Sequence, residues 1–474
     1  MNPMSEPARI AIDLGAESCR VSLLRFQSGE PSVTVVHRIP NGPVRRGDGL
    51  HWPLTSILSG LEDGLRKAAT AAPEGIASIS VDSWSVDYVR IAPDGSPFRE
   101  PFCYRDERTV AVKEATDKII DPFDLYQRTG AIPLRINTIY QLIADRAAGI
   151  DARIPWAMFP EYVLSWLSGK RVGEYSNASH TGLVNLQTRA WDADLFRLLD
   201  LFLEAAPTIV PAGTVLGPLQ GPLAALDAFR HTQIVAPACH DTASAIAGIP
   251  ADLSSTAYLC TGTWSLIGTL TTTPVTTREA YDARYTNIGA ATGGLCFHTL
   301  ANGMWLIKQC MDGWAAQGRP WTIEDLVQRA AARSAEGIID VDAEPLMLEL
   351  NMPERINHEL ARAGADPIPD VPGNEPLFAR VIFESLAARY ATALNDLQRM
   401  LGRKLDRIHM LGGANRNKLL VQLTRQRTGL PVTIGETESS TIGNLAVQLA
   451  SSESGGAVTP QSVRAWSARL CKTA

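Results

Sequence analysis

The sequence lacks the features that mark several specialised classes of protein. Its seven cysteines contain no C-x-x-C pair, which argues against both a disulfide framework and a structural zinc site. No stretch of about eighteen apolar residues occurs, and the N-terminus has no basic region followed by an apolar one. A net charge of −6 provides no basic footprint for nucleic acid or an anionic membrane. We therefore expect a cytoplasmic protein that acts on small molecules.

The chain is long enough for more than one domain. With 474 residues, 45% hydrophobic and 20% charged, it can form two to three domains with buried cores that share a cleft. Segments with strand and helix periodicity are mixed, which indicates an α/β protein. The stretch 247–255 is rich in loop formers, and we place a boundary there, between an N-terminal domain of residues 1–248 and a C-terminal domain of residues 249–474.

One short motif occurs twice, about half a chain length apart. Residues 13–20 read Asp-Leu-Gly-Ala-Glu-Ser-Cys-Arg and residues 260–265 read Cys-Thr-Gly-Thr-Trp-Ser, each between apolar runs typical of a β-hairpin. The exposed N–H groups and hydroxyls of such a glycine turn suit a phosphate oxygen. A third candidate is the strand 405–411, which runs into Gly412-Gly-Ala-Asn415 and then a helix start. The repetition predicts a duplicated domain that holds a nucleotide from both sides.

Two aspartates are candidates for chemistry. Asp13 ends a strand that should be buried, where a carboxylate is costly unless it is hydrogen-bonded or near a cation. Mg²⁺ on a nucleotide would account for it, and a turn-capping aspartate is the alternative. Asp241 opens a helix, where the dipole keeps a general base ionised, although most aspartates there only cap the helix. His240 is placed to bind a sugar hydroxyl, or is a structural histidine.

Other segments are less specific. Residues 82–87, Asp-Ser-Trp-Ser-Val-Asp, combine two carboxylates with an aromatic face, as polyol sites do, but a surface loop with a packed tryptophan would look the same. Helical spacing of apolar residues predicts helices over 140–146, 161–167, 195–204 and 377–401, with Gly169 closing the second. A strand is predicted over 233–238.

Together these motifs resemble the FGGY carbohydrate kinases over essentially the whole chain. The strings Asp13-x-Gly15, His240-Asp-Thr-Ala-Ser244, Gly262-Thr-Trp-Ser265 and Gly412-Gly-Ala414 occur in that family in this order. The segments 81–87, 104–109, 137–142, 174–178 and 440–444 look most like its rhamnulokinase branch. The resemblance implies two actin-like or hexokinase-type (ribonuclease H-like) ATPase domains that close on an interdomain cleft. It also implies ATP and Mg²⁺ as cofactors.

The resemblance further implies roles for individual residues. Asp241 would be the catalytic base, and Asp13 would lie near the magnesium of the nucleotide. The residues expected at the sugar are Trp84, Ser85, Asp87, His240, Asp241 and Thr242. Those expected at the nucleotide are Asp13, Gly15, Ala16, Glu17, Ser18, Arg20, Gly262, Thr263, Lys308, Gly412, Gly413, Ala414 and Asn417.

Two departures from the family pattern concern ligand contacts. Glu17 places a negative charge where rhamnulokinases have a hydroxyl facing phosphate. Aligned to the family pattern without gaps, the chain has Leu300 where the family has an asparagine for the sugar, and Lys308 where it has a glutamine for the nucleotide. The nearest asparagine, Asn302, is displaced by two positions. We expect an ATP-dependent kinase, monomeric or homodimeric, for L-rhamnulose or a related deoxyketose. Kinases for L-fuculose or L-ribulose, and a non-catalytic switch of actin-like fold, are the alternatives.

Overall fold

A computed structural model describes residues 6–471 of the chain. The strands in chain order are β1 (Ala8–Leu14), β2 (Ser18–Gln27), β3 (Glu30–Pro40), β4 (Val44–Arg46), β5 (Gly49–His51), β6 (Ile76–Ser83), β7 (Tyr88–Arg90), β8 (Trp156–Met158), β9 (Val172–Glu174), β10 (Thr208–Val210), β11 (Val215–Pro218), β12 (Gln233–Val235), β13 (Thr256–Thr261), β14 (Trp264–Thr271), β15 (Tyr285–Gly289), β16 (Leu295–Asn302), β17 (Arg407–Leu411) and β18 (Val432–Ile434).

The helices surround two sheets. They are α1 (Leu54–Ala71), α2 (Val110–Thr116), α3 (Pro122–Thr129), α4 (Thr138–Ala147), α5 (Phe159–Ser168), α6 (Tyr175–Ala178), α7 (Ala193–Leu198), α8 (Asp241–Ala247), α9 (Arg278–Asp282), α10 (Trp305–Ala316), α11 (Ile323–Ala331), α12 (Met352–Arg362), α13 (Glu375–Leu401), α14 (Lys418–Thr428), α15 (Ser439–Ser454) and α16 (Pro460–Leu470). No helix within residues 6–471 combines the length and apolar character that a bilayer span requires.

The two large sheets share an arrangement of five strands, which confirms the predicted duplication. The first has the order β11-β12-β6-β1-β2-β3 and the second the order β15-β16-β14-β13-β17-β18. In both, a glycine hairpin (β1–β2, β13–β14) extends antiparallel to a third strand, β3 or β16. On its other side each hairpin pairs parallel with a strand that arrives through a crossover, β6 or β17. The chain is thus a two-domain α/β protein, as expected.

The carboxyl ends of the central strands carry the glycine turns in both sheets, and in the first sheet they also carry Asp13 and Asp82. Strands β1 and β6 are buried along nearly their whole length, since helices cover both faces. Helices α15 and α16, although C-terminal in the chain, share an apolar cluster with Ala11, Leu24 and Ala243 of the N-terminal half. The boundary between residues 248 and 249 stays a prediction.

Two element boundaries differ from expectation. The helix predicted over 195–204 ends at Leu198, because Asp200 adopts a left-handed conformation with φ of 53° and turns the chain. The strand predicted over 233–238 ends at Val235. Beyond it, Ala236 still forms backbone hydrogen bonds with residues 213–214, and a single bridge joins Ser83 to His240. The helices over 140–146, 161–167 and 377–401 are present, with Gly169 in a left-handed cap.

Candidate active site

Asp13 is buried at the end of β1 and is held from two directions. Its Oδ2 accepts hydrogen bonds from the Arg20 guanidinium at 2.6 Å and from the Ser440 hydroxyl at 2.7 Å. Burial raises the pKa of Asp13, and the charge of Arg20 and the Ser440 bond partly oppose that rise. Arg20 also forms an ion pair with Glu438. The carboxylate is therefore fixed in position by residues from both halves of the chain.

Asp82 lies beside Asp13, a placement that the sequence did not reveal. The two residues are register partners on the parallel strands β1 and β6. Asn444 Nδ2 donates to Asp82 Oδ2 at 2.6 Å, whereas Oδ1 is buried with no partner among residues 6–471. Burial, and after it the charge of Asp13, raises the pKa of Asp82 well above its ordinary value. This edge of the sheet thus brings two buried carboxyl groups together.

Helix α15 supplies the polar side chains that hold these carboxylates. Ser440, Asn444 and Gln448 recur every four residues and so share one face of the helix. Gln448 donates to the Ile10 carbonyl at 3.0 Å and accepts from the Ser78 hydroxyl at 2.6 Å. The sequence shows that these three residues are spaced by four, but the residues that they contact lie more than 350 positions away in the chain.

The turn of the first hairpin has the form expected for a phosphate loop. The Gly15 N–H donates to the Ser18 carbonyl at 3.2 Å, and a Cβ on Gly15 would lie 2.6 Å from that same oxygen. Glycine is therefore required at the turn. Asn41 braces it by donating from its side chain to the Gly15 carbonyl at 2.8 Å. The neighbours Ala16 and Ser18 are half-buried.

Glu17 is the exposed residue of this turn. Arg20, the nearby cation on β2, binds Asp13 and Glu438. The charge of Glu17 acts on Arg105, itself an exposed residue. The Glu17 side chain is therefore exposed at the rim of the turn, and its orientation relative to bound phosphates stays a prediction.

Replacing Glu17 by serine should change the KM for Mg·ATP by less than about threefold, because solvent and salt screen exposed charges. Initial rates at varied Mg·ATP, with Glu30→Ser as a control for loss of an exposed carboxylate elsewhere, would measure this. A large gain in ATP affinity in Glu17→Ser alone would show that Glu17 weakens the nucleotide site.

Asp241 is the first residue of α8 and is partly open to solvent. Its side chain is 37% exposed, and its Oδ1 accepts from the Thr242 amide at 2.5 Å and hydroxyl at 3.2 Å. Burial raises the pKa of Asp241 to about 6, against the hydrogen bonds from Thr242 and the charge of Arg20. Its charge in turn acts on Asp13 and on Cys260 of the second sheet. Asp241 thus lies between the two hairpins.

Three histidines lie around the start of α8: His240 and His298 are buried, and His180 is half-buried. His240 Nε2 lies 3.3 Å from Asp241 Oδ1, and its ring centroid is 4.1 Å from that of His180. Burial lowers the pKa of His240 to about 3 and that of His298 to about 3, and it lowers the pKa of His180 strongly as well. All three rings are therefore neutral at physiological pH. His180 was not identified from the sequence, and its Nε2 has no hydrogen-bond partner in the described chain.

The segment before Asp241 rests on a buried pair of glutamates. Glu174 Oε2 accepts the Cys239 amide at 2.9 Å, and Glu161 Oε1 accepts the Glu174 amide at 3.1 Å. Both side chains are fully buried, and burial raises the pKa of Glu161 to about 8 and that of Glu174 to about 7. The glutamates orient the turn that carries His240 and Asp241.

The second sheet brings two glycine turns together. Gly262 donates to the Trp264 carbonyl at 2.8 Å, and Thr263 is exposed at the tip. Gly412 has φ of 84°, and a Cβ there would overlap the Thr261 carbonyl oxygen, so only glycine fits. The exposed Gly413 and buried Ala414 follow it, and Asn417 caps α14 by accepting the Leu420 amide at 3.0 Å. These turns end the neighbouring parallel strands β13 and β17.

Leu300 and Lys308, which the alignment without gaps assigned to ligands, lie on a strand and a helix rather than in a glycine turn. Lys308 lies on α10 with its side chain 57% exposed, and it pairs with Asp312 at 2.6 Å. Leu300 is 40% exposed on β16, whereas Asn302 is fully buried and accepts the Gly303 amide. A Cβ on Gly303 would lie 2.7 Å from the Gly262 carbonyl. Residues 302–303 therefore lie against the second hairpin, and Lys308 forms a surface ion pair.

Trp84 and Asp87 form the inside of their loop. Asp87 is 1% exposed, and its carboxylate accepts from the indoles of Trp52 at 2.6 Å and Trp84 at 2.9 Å. The Trp84 ring packs 4.7 Å from Phe159. Both side chains are thus packed inside the loop, and the sugar contact expected of them stays a prediction. Ser85 remains as the half-buried hydroxyl of the loop.

The loop stores backbone strain at Val86. Its φ of 71° is one that a β-branched residue rarely adopts. The Val86 carbonyl accepts from Thr138 Oγ1 at 2.7 Å and from Gln141 Nε2 at 3.2 Å. Strained residues of this kind persist where neighbouring structure fixes them, and they cluster at ligand sites. Helix α4 thus fixes the position of Ser85.

The repeated sheets, their glycine turns and the aspartate between them define a phosphotransferase of two α/β domains. The chain belongs to the FGGY family of carbohydrate kinases: the N-terminal domain of that family matches residues 8–248 and the C-terminal domain matches residues 257–452. The expected family is therefore confirmed, and the chain is a carbohydrate kinase.

Relatives found by sequence agree with this assignment, and solved structures agree with the fold. The chain is 33% identical to the rhamnulokinase of Bacteroides thetaiotaomicron over 441 residues, which cover 92% of this chain and 89% of that one. It is 32% identical to the rhamnulokinase of Enterococcus faecalis, covering 93% and 88%. The fold matches xylulose kinase from Lactobacillus acidophilus with a TM-score of 0.76 at 17% identity, covering 98% and 96% of the two chains. It matches ADP-bound glycerol kinase from Plasmodium falciparum with a TM-score of 0.77 at 13% identity, covering 97% and 92%.

Proposed function

We propose that this protein transfers the γ-phosphoryl group of ATP to a hydroxyl of a ketose, with L-rhamnulose as substrate and L-rhamnulose 1-phosphate as product. The observation that carries the proposal is Asp241, a partly exposed carboxylate at a helix start between the two glycine hairpins. Its surroundings contain neutral polar groups, as a site for an uncharged polyol requires. The similarity to rhamnulokinases over nine-tenths of the chain supports the choice of sugar.

Asp241 acts as the general base in this proposal. The α8 dipole and the Thr242 donors favour its ionised form, so it can accept the proton of the sugar hydroxyl as that oxygen attacks phosphorus. His240, held neutral by burial, can donate to or accept from a neighbouring sugar hydroxyl. Ser85 is the third side chain placed for a sugar contact. Positioning then supplies most of the rate, because phosphoryl transfer requires little covalent help.

The residues around Asp13 fit a nucleotide-bound magnesium ion. Asp13 is a buried carboxylate beside a phosphate-type turn, and the unpartnered Oδ1 of Asp82 lies next to it. Residues 6–471 contain no group of three or more histidine, cysteine or acidic side chains that could hold a metal by themselves. Asp13 would hold the ion together with nucleotide phosphates, and the ion would neutralise charge on the transferred group. Thr263 and Gly413 would present donors to those phosphates, and Gly15 and Gly262 would shape the turns that receive them.

A substrate panel tests the proposal. ADP release would be measured with L-rhamnulose, L-fuculose and L-ribulose at varied concentrations, with phosphate attachment at O1 checked by ³¹P NMR. We expect the highest kcat/KM for L-rhamnulose. A preference of about tenfold or more for another ketose would replace the proposed substrate, and no turnover with any of them would overturn the ketose kinase.

The pH dependence should follow Asp241. A general base works only when ionised, so a pKa of about 6 predicts that kcat/KM rises with pH below 6 and levels off above it. Below the pKa the slope should approach a tenfold change for each pH unit. Rates between about pH 5 and pH 8, with preincubation at each pH to separate loss of fold, would measure this. A flat profile down to pH 5 would contradict the assignment.

A further inference from the structure

A cavity of about 610 Å³ lies behind the start of α8, away from the glycine turns. Its walls come from both halves of the chain: α8, the connecting segment 249–254, the end of β14, the turn 290–294 and the start of α16. Apolar side chains such as Ile246, Leu253 and Val463 form part of the lining. The volume is in the range that binds small metabolites.

A smaller cavity of about 260 Å³ adjoins the first. The two share Arg189, Ala290, Ala291 and Gly293 in their linings, so they form parts of one recess. Tyr175 lines the smaller part and is only 7% exposed, yet its hydroxyl has no hydrogen-bond partner in the described part of the chain. A buried hydroxyl left in this way costs free energy unless a ligand or water satisfies it. We call the two cavities together the hinge recess.

The charge of the hinge recess is positive. Arg189, Arg403 and Arg464 line it with the acids Asp252 and Glu174, which leaves one formal positive charge in excess. The contact between Arg464 and Asp252 is loose, at 3.9 Å. Arg403 uses one guanidinium nitrogen on the Leu270 carbonyl at 2.5 Å, whereas its Nε is buried without a partner among residues 6–471. Arginine in such a setting selects carboxylate or phosphate oxygens.

We propose that the hinge recess binds a small metabolite with a carboxylate or phosphate group, and that this ligand regulates the kinase. The anionic group would lie between Arg464 and Arg403, and Arg189 with the Tyr175 hydroxyl would bind polar groups further inside. The apolar lining would contact the carbon skeleton. This site is separate from the nucleotide and sugar sites and does not depend on which ketose is phosphorylated.

The recess contacts the catalytic segment at two points. Ala243 and Ile246 line it from α8, the helix that Asp241 begins. Tyr175 follows Glu174, which accepts the Cys239 amide, and precedes Ser176, whose hydroxyl accepts the His240 amide at 3.4 Å. A ligand that fixes Tyr175 would therefore act on the turn that carries the base.

Residues from both halves of the chain also meet at the hinge recess. A Cβ on Gly289 at the end of β15 would lie 2.6 Å from the Tyr175 ring, so the second sheet packs directly on this residue. A ligand in contact with α8 on one side and residues 290–294 on the other would favour one relative position of the domains. Kinases of two domains depend on such closure for activity. The expected effect is a change in sugar KM.

The test is calorimetric binding of two probes, citrate and glycerol 3-phosphate, to the full chain. Titrations with and without saturating ADP separate the hinge recess from the nucleotide site, because ADP blocks only the latter. We expect binding that persists with ADP and weakens about tenfold or more in Arg464→Ala and in Arg189→Ala. Arg230→Ala is the matched control, since Arg230 is an exposed arginine that pairs with Asp227 outside the recess.

A kinetic readout completes the test. Saturating probe should change the ketose KM by about threefold or more in the wild-type protein and leave Arg464→Ala unaffected. Comparison of the two probes distinguishes a carboxylate ligand from a phosphate ligand. No binding of either probe at about 10 mM, or equal binding by the two recess variants and Arg230→Ala, overturns the site. Binding without any change in KM overturns the regulatory role.

Discussion

Replacing Asp241 by asparagine should lower kcat by about 10² to 10⁴ while leaving ketose affinity nearly unchanged. The amide has the same shape and still accepts the Thr242 amide hydrogen bond, but it cannot take a proton from the sugar hydroxyl. Such a loss corresponds to about 3 to 5 kcal/mol of transition-state stabilisation. A helix cap alone would behave differently, because asparagine caps helices as well as aspartate does.

Turnover by ADP release and sugar affinity by calorimetry would be measured on the same preparation. Asp227→Asn is a suitable control, since that carboxylate is 91% exposed and lies in a different part of the fold. Near-normal turnover in Asp241→Asn would show that Asp241 only caps α8. Loss of sugar binding together with turnover would instead make Asp241 a sugar ligand first.

The motifs that could be found from the sequence are local ones. Gly15, Gly262 and Gly412 each mark a turn whose geometry depends on a few consecutive residues, and the structure has all three at strand ends. Asp241 was found in the same way, at a junction of strand and helix. Short-range rules are sufficient where a glycine or a helix start determines the conformation.

The residues that could not be predicted act over long distances in the chain. Asp82 meets Asp13 only because β6 crosses over to pair with β1, and Glu174 meets Cys239 across 65 positions. Ser440 reaches Asp13 across 427 positions. Nothing in a single sequence encodes such pairings directly.

Helices α8 and α15 carry several of the residues that form these long-range contacts, and the two helices cross at Gly248 and Gly443. A Cβ on Gly443 would overlap the Ser244 carbonyl oxygen and lie 2.7 Å from the Gly248 amide nitrogen. A Cβ on Gly248 would lie 2.6 Å from the Ser439 carbonyl oxygen. The separation of packed helices depends on the side chains at the contact, so glycine permits this close approach. Asp241 begins one helix, and Ser440 and Asn444 project from the other.

Gly443→Ala should therefore both destabilise the fold and inactivate the enzyme. Moving the helices apart costs about 1–3 kcal/mol in overpacking, and the melting temperature should fall by several degrees. The same movement displaces Asp241 relative to the carboxylates that α15 holds, and a shift of about 1 Å can cost about 10² in rate. Gly313→Ala is the matched control: Gly313 lies within α10 with open space where its Cβ would be, and alanine there should stabilise by up to about 1 kcal/mol. Thermal unfolding and kcat measured on both variants would decide the matter. If Gly443→Ala retained the melting temperature and turnover of the wild-type protein, then the close crossing of α8 and α15 would not be what positions the catalytic aspartate.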